Sequence, residues 1–226
     1  HASVVVIGGG ILGCSTLYHL VKLGVADAVL LERSQLTSGT TWHSAAQVRA
    51  LRSSKNLTEL IRYSFSFFPE LEEETGQATG WMQTGSLSIA TNQERLTHIL
   101  RQESLARLFG IQADSIPVEE AAERWPLMNH DDVIGAVWSP DDGRVSPSDL
   151  CVALAKGAKN RGAKIFEETS VIGILTGKGK VRAVITEQGE IRCDAVVLCS
   201  GLWSRELASK AGVKIPVWPC EHFYLL

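Results

Sequence analysis

Three groups of residues in this chain have the types and spacing to do chemistry. Gly8, Gly10 and Gly13 form G-x-G-x-x-G directly after the apolar run Val4-Val-Val-Ile7, and Glu32 closes the next such run, Ala28-Val-Leu-Leu-Glu32. Between a strand and a helix, the first glycine permits a tight turn and the second lets backbone approach a pyrophosphate. The third lets helix pack on strand, which aims the helix N-terminus at the phosphates. A carboxylate about 20 residues further on accepts hydrogen bonds from ribose hydroxyls and weighs against a 2′-phosphate, hence against NADP. The second group is the loop Thr37-Ser-Gly-Thr-Thr-Trp-His43. Its hydroxyls, Thr40 and Thr41 among them, could lie along an extended cofactor, and the neutral imidazole of His43 is a competent nucleophile near pH 7. A solvated histidine in an ordinary polar turn is the competing reading. The third group contains Arg49 and Arg52, whose guanidinium forks could clamp a substrate carboxylate, although arginines there also pair with surface acids.

Composition bounds what such groups serve. The 226 residues suffice for one large domain or two joined ones, with 45% hydrophobic and 21% charged residues. Lys plus Arg number 22 against 25 Asp plus Glu, so there is no polycationic face for nucleic acid. No apolar run approaches the roughly 20 residues that span a bilayer, and no membrane partner is expected. The five cysteines, Cys14, Cys151, Cys193, Cys199 and Cys220, lack metal-like spacing and read as reduced thiols in an intracellular compartment. No metal is expected.

Local patterns supply the elements that position these residues. Ser3–Ile7, residues 14–23 and Ala28–Glu32 make a β-α-β unit of roughly 30 residues. A long helix is expected over Asn56–Thr75, kinked or interrupted at Pro69, which lacks a donor. Helices follow over Asn92–Phe109, Glu119–Trp125 and Ser146–Arg161, with strands over Gly85–Thr91, Val133–Trp138 and Lys164–Phe166. Val171–Leu175 and Val181–Thr186 form a hairpin about Thr176-Gly-Lys-Gly-Lys180, and Glu190–Cys199 is a further strand before a helix at Ser200–Leu207. The last ten residues, Val217–Leu226, read as a strand still running, and the chain starts at His rather than Met; a trimmed piece of a longer protein is expected. A nicotinamide dehydrogenase would continue in β-α units. The long excursion before the return near Val171 weighs instead toward FAD.

The chain resembles the D-amino-acid-oxidase-like FAD-dependent oxidoreductases, specifically their dimethylglycine and sarcosine dehydrogenase branch. The stretches that carry the resemblance run through the chain in order. They are Gly8-Gly-Gly-Ile-Leu-Gly13, Leu31-Glu-Arg33, Leu36-Thr-Ser-Gly-Thr-Thr-Trp-His43 and Leu71-Glu-Glu-Glu-Thr-Gly76, then Pro126-Leu-Met-Asn129 and Pro140-Asp-Asp-Gly143. Val197-Leu-Cys-Ser-Gly-Leu-Trp203 and Pro219-Cys-Glu-His-Phe-Tyr224 complete the set.

The resemblance implies an α/β fold, a Rossmann-like FAD-binding domain (1–80 and 144–216) with an interleaved, incomplete β-rich substrate domain (81–143 and 217–226). It implies cofactor contacts at Gly8, Gly10, Ile11, Leu12, Gly13, Glu32, Arg33, Thr40 and Thr41, at Val171 through its backbone, and at Ser200 and Gly201. It places a covalent bond from the His43 imidazole to the flavin, and a catalytic role at His222, for which a histidine packed on a sheet is the alternative. The implied reaction is oxidative demethylation of sarcosine or dimethylglycine, with oxygen or an electron-transfer flavoprotein as acceptor and tetrahydrofolate in a later domain as a possible carrier. Bacterial cytoplasm and mitochondrial matrix both suit it. The regulatory subunit of pyruvate dehydrogenase phosphatase is similar in sequence, and it gives the alternative of a non-catalytic protein; it lacks the histidine that His43 supplies here.

Overall fold

A computed structural model of the chain describes residues 1–223. In chain order the elements are β1 (Ala2–Ile7), α1 (Ile11–Lys22), β2 (Ala28–Leu31), β3 (Gln47–Val48), α2 (Lys55–Thr75) and β4 (Ser86–Ala90). Next come α3 (Gln93–Leu108), β5 (Asp114–Ile116), α4 (Val118–Arg124), β6 (Gly135–Ser139), β7 (Gly143–Arg144) and α5 (Pro147–Asn160). The chain continues with β8 (Lys164–Phe166), β9 (Val171–Gly177), β10 (Lys180–Thr186), β11 (Gly189–Leu198), a 3-10 turn (Gly201–Trp203) and α6 (Ser204–Lys210). They form two compact units, one of residues 1–44, 71–79 and 147–226, the other of residues 45–70 and 80–146.

The first unit is built on a six-stranded sheet in the order β8-β2-β1-β11-β10-β9. Its first four strands are parallel, with Val4 opposite both Ala28 and Ala195, and β10 and β9 return antiparallel. The β-branched run Val4–Ile7 takes the centre because a parallel strand is covered on both faces. On α1, Cys14, Leu17, Tyr18 and Val21 are buried at helical spacing, and the helix ends before Gly24, whose φ of +95° few other residues adopt. Fully burying Leu17 and Tyr18 is worth about 2–3 kcal/mol each. Helix α5 packs on α1 at Gly157, where an added Cβ would lie 2.6 Å from the Tyr18 ring.

The second unit pairs β4, β6 and β5 antiparallel in that order, and β3 with β7. Its core gathers Ala50, Ala90, Ile99, Ala106, Ile111, Ala113 and Val137. Asn92 caps α3 by accepting the Arg95 N–H at 2.8 Å.

Three expectations need correction. Helix α2 is not interrupted at Pro69, because one lost backbone bond is outweighed by the buried Phe67, Phe68 and Leu71 beside it. Residues 45–70 pack within the second unit rather than with the nucleotide-type sheet, since β3 pairs with β7 and the Ala50 N–H donates to Asp142 Oδ1 at 2.7 Å. Residues 217–223 form no strand: no neighbouring strand among the described residues offers their backbone partners. The remainder of that expected strand, 224–226, lies outside the described residues. Among the described residues no helix is long and apolar enough to cross a membrane, and no cluster of His, Cys, Asp or Glu could hold a metal ion.

Candidate cofactor site

Within the first unit the C-terminal ends of β1, β2 and β11 open onto a cavity of about 360 Å³. Gly8, Gly9 and Gly10 line it from the loop before α1, Ile11 and Leu12 from the first turn of α1, Glu32 and Arg33 from just after β2, and Ser38–Thr41 from the hydroxyl-rich loop. Thr169–Ile172, Cys199–Gly201, Trp203, Glu206 and Lys210 complete the wall. The crossing point of an open parallel sheet is where such folds place ligands.

The glycines are needed as glycines. Gly8 has φ +111°, and a Cβ there would meet the Cys199 carbonyl oxygen at 2.5 Å. A Cβ on Gly13 would sit 1.8 Å from the Gly8 carbonyl oxygen, so α1 could not approach β1. On Gly10 it would meet Thr41 Oγ1 at 2.9 Å.

Glu32 does two jobs locally. Its Oε2 accepts the Gly9 N–H at 2.6 Å and its Oε1 accepts the Ser34 N–H at 3.0 Å, and the residue lines the cavity. Three bonds dock the 36–43 loop beside it. The Thr37 N–H donates to the Gly9 carbonyl at 3.0 Å, the Leu36 N–H to Glu167 Oε1 at 2.6 Å, and the Ile11 N–H to Thr41 Oγ1 at 3.1 Å. Thr37 itself takes φ +71°. The loop ends with His43, exposed and tilted at 33° against the Trp42 ring with ring centres 3.8 Å apart.

Opposite, the Arg33 guanidinium lies over the Trp203 ring at 4.0 Å. Lys210 Nζ donates to the Ile172 carbonyl at 3.2 Å and pairs with Glu206 at 3.8 Å. The thiols nearby are held protonated: burial pushes the Cys199 thiol up, against a weaker opposing bond to Thr16. The Cys14 thiol is driven higher by its hydrogen bond with Cys151 and by burial. Neither supplies a thiolate to the site.

Residues 3–226 match the family of FAD dependent oxidoreductases designated DAO. The chain belongs to this FAD-dependent oxidoreductase family. Over its whole length it is 46% identical to mitochondrial sarcosine dehydrogenase of Mus musculus and 35% identical to mitochondrial dimethylglycine dehydrogenase of Rattus norvegicus. It is also 41% identical, again over all of its length, to the regulatory subunit of mitochondrial pyruvate dehydrogenase phosphatase of Mus musculus. It spans 25%, 26% and 26% of those three proteins, about a quarter of each. Among solved structures, L-proline dehydrogenase from P. horikoshii superposes with a TM-score of 0.88 at 30% identity, over 94% of this chain and 56% of that one.

Within this member of the oxidoreductase family, the structure brings together Gly8, Gly10, Ile11, Leu12, Glu32, Arg33, Thr40, Thr41, Val171, Ser200 and Gly201 on one cavity wall. Gly13 stands just behind it, and His43 lies two residues beyond Thr41, outside the lining. His222 is exposed and also outside the lining. Arg49 and Arg52 belong to the second unit. There Arg49 donates to Ser88 Oγ at 2.9 Å and pairs with Asp142 at 3.6 Å, so its fork is already engaged. The backbone of Arg52 donates to Thr58 Oγ1 at 3.1 Å. Ser38 lines the cavity with the hydroxyl-rich loop it belongs to. Sequence reasoning missed Thr169, Cys199, Glu206 and Lys210 as lining residues, and the Arg33–Trp203 contact. Nothing local pointed to a pairing of residues as distant as Arg33 and Trp203.

Proposed function

We propose that the protein to which this chain belongs binds FAD in this cavity and oxidatively demethylates an N-methylglycine, sarcosine or dimethylglycine. The observation that carries the reading is the convergence of the glycine loop, Glu32, the Ser38–Thr41 loop, Val171 and Ser200–Gly201 on one cavity. A loop whose packing against Cys199 and Thr41 leaves no room for a Cβ at Gly8 or Gly10 presents bare backbone, which fits a pyrophosphate, and the Gly10 N–H has no hydrogen-bond partner among the described residues. Leu12, 67% exposed in the cavity, offers an apolar contact that a helix surface would otherwise avoid.

In this reading the N-terminus of α1 and the Gly10 N–H hold the phosphates, and Glu32 keeps acceptor capacity for a ribose. Thr40 and Thr41 lie along the cofactor, and the backbone at Val171 meets the adenine end. His43 tethers the flavin by a covalent bond. FAD, when bound, would supply the two-electron oxidation of the N-methyl carbon, whose product would hydrolyse to formaldehyde and the demethylated amine. His222 receives the ammonium proton of the substrate, since only the neutral amine can give up hydride. Oxygen or an electron-transfer flavoprotein takes the electrons, and tetrahydrofolate bound elsewhere in the protein takes the one-carbon unit. The mitochondrial names of the animal relatives favour a matrix location for a eukaryotic source, and cytoplasm for a bacterial one.

The likeness to a phosphatase regulatory subunit favours a second reading, a flavoprotein-like subunit without catalysis. Anaerobic mixing of the full-length protein with sarcosine and with dimethylglycine separates the two. Bleaching of the visible flavin absorbance, with formaldehyde released on re-oxidation, is expected. A flavin that neither amine reduces would overturn the demethylase reading.

A further inference from the structure

The ring of His43 is exposed and forms no hydrogen bond among the described residues, so its place is set by the loop that carries it. That loop is tied at its start by Leu36 and Thr37 and near its end by Thr41. Its middle faces one indole. A Cβ built on Gly39 would stand 3.6 Å from Trp203 Cζ3, so the ring faces the Gly39 backbone with room for a methyl group between them. The ring also carries the Arg33 guanidinium at 4.0 Å. Trp203 is itself fixed, closing the 3-10 turn after β11 with its N–H donated to the Ser200 carbonyl at 3.1 Å. One side chain thus joins the turn after β11 to the loop after β2.

We propose that Trp203 is a positioning residue, which holds the Ser38–Thr41 stretch so that His43 reaches the flavin. The proposal rests on the tether assigned above to His43. In that tethering step an imidazole nitrogen replaces a hydrogen on the flavin 8α carbon: one C–N bond forms, one C–H and one N–H bond break, and two protons and two electrons leave. With molecular oxygen as the oxidant they appear as hydrogen peroxide. The step needs a short, aligned approach, and misplacement of a reacting group by about 1 Å costs on the order of a hundredfold in rate.

The test uses the full-length protein as wild type, Trp203→Ala and Trp203→Phe, with two readouts: the fraction of flavin that stays on the polypeptide after denaturation, and deuterium uptake of the peptide spanning residues 36–43. For Trp203→Ala we expect the covalent share of whatever flavin is bound to fall about tenfold at a fixed short incubation. Uptake of the 36–43 peptide should rise about tenfold in rate without a matching rise in β11 or α6. Trp203→Phe should restore both, because a ring still faces Gly39. Unchanged uptake at 36–43, or a rise spread equally over β11 and α6, would overturn the positioning role. If wild-type flavin is released by denaturation, the tether fails instead, and loop uptake alone still decides for or against Trp203.

Discussion

The carboxylate of Glu32 accepts the Gly9 N–H at 2.6 Å, so the acid just after β2 braces the glycine loop while lining the cavity. Removing its charge therefore acts on both. In a His43→Ala background, where FAD should be exchangeable, Glu32→Gln is predicted to weaken FAD about tenfold, or ~1.4 kcal/mol. Titration by flavin fluorescence checks this, and an unaltered affinity would show that the carboxylate is structural only.

Gly13 shows how close α1 comes to β1, since a Cβ there would stand 1.8 Å from the Gly8 carbonyl oxygen. Gly13→Ala is predicted to cost about 3 kcal/mol in urea unfolding and to lose flavin. Gly173 is a contrast. Its added Cβ would meet Ile185 at an ordinary 3.8 Å, and Gly173→Ala should change stability by less than about 0.5 kcal/mol.

A buried-edge network in the first unit predicts acid sensitivity. Tyr18 Oη donates to Glu74 Oε2 at 2.6 Å, and Arg161 donates to the other oxygen. Burial pushes the Glu74 carboxyl up, but the bonds from Arg161 and Tyr18 outweigh it, and the net direction is down from the usual value near 4.5. A carboxylate depressed on folding stabilises fully above that usual value and loses its contribution as pH falls through the folded value. The difference in stability between the wild type and Glu74→Gln should accordingly be constant near neutrality and shrink below pH 4.5. Equal pH profiles in thermal unfolding would contradict the network.

In the second unit the corresponding anchor is Asp142, 2% exposed. It accepts the Ala50 N–H at 2.7 Å and the Ser86 hydroxyl at 2.5 Å, and it pairs with Arg49 at 3.6 Å. Asp142→Ala strands three donors, and a loss of about 3 kcal/mol is expected in chemical denaturation. Arg49→Gln should cost less, because Asp142 keeps its two short bonds. A larger loss for Arg49→Gln than for Asp142→Ala would reverse the assignment of the anchor.

What could be read from the sequence was what local pattern determines. The β1-α1-β2 unit carries its own period, turn glycines and terminal acid, and helix α3 lies within a residue of its expected ends because Asn92 and the Phe109–Gly110 stop are local signals. The hairpin of β9 and β10 was legible from its Gly-Lys-Gly turn. Pairings made at a distance were not. Strands β3 and β7 are two residues each, too short for periodicity, and exist because Gln47 meets Arg144 far along the chain. The anchoring role of Asp142 was not legible, because its partners Arg49, Ala50 and Ser86 lie far from it along the chain. The Arg33–Trp203 stack is hidden for the same reason. A terminal strand could not be judged from Val217 onward, since a strand is a property of its neighbours as much as of its residues.

The central claim, a flavin tethered beside this glycine loop, is tested most directly by denaturing the full-length protein, removing small molecules and examining its peptides for flavin fluorescence. Fluorescence retained on the peptide containing His43, and lost in His43→Ala, is the predicted result. Flavin set free by denaturation would contradict the tether, and a well-folded full-length protein carrying no flavin would contradict the cofactor site itself.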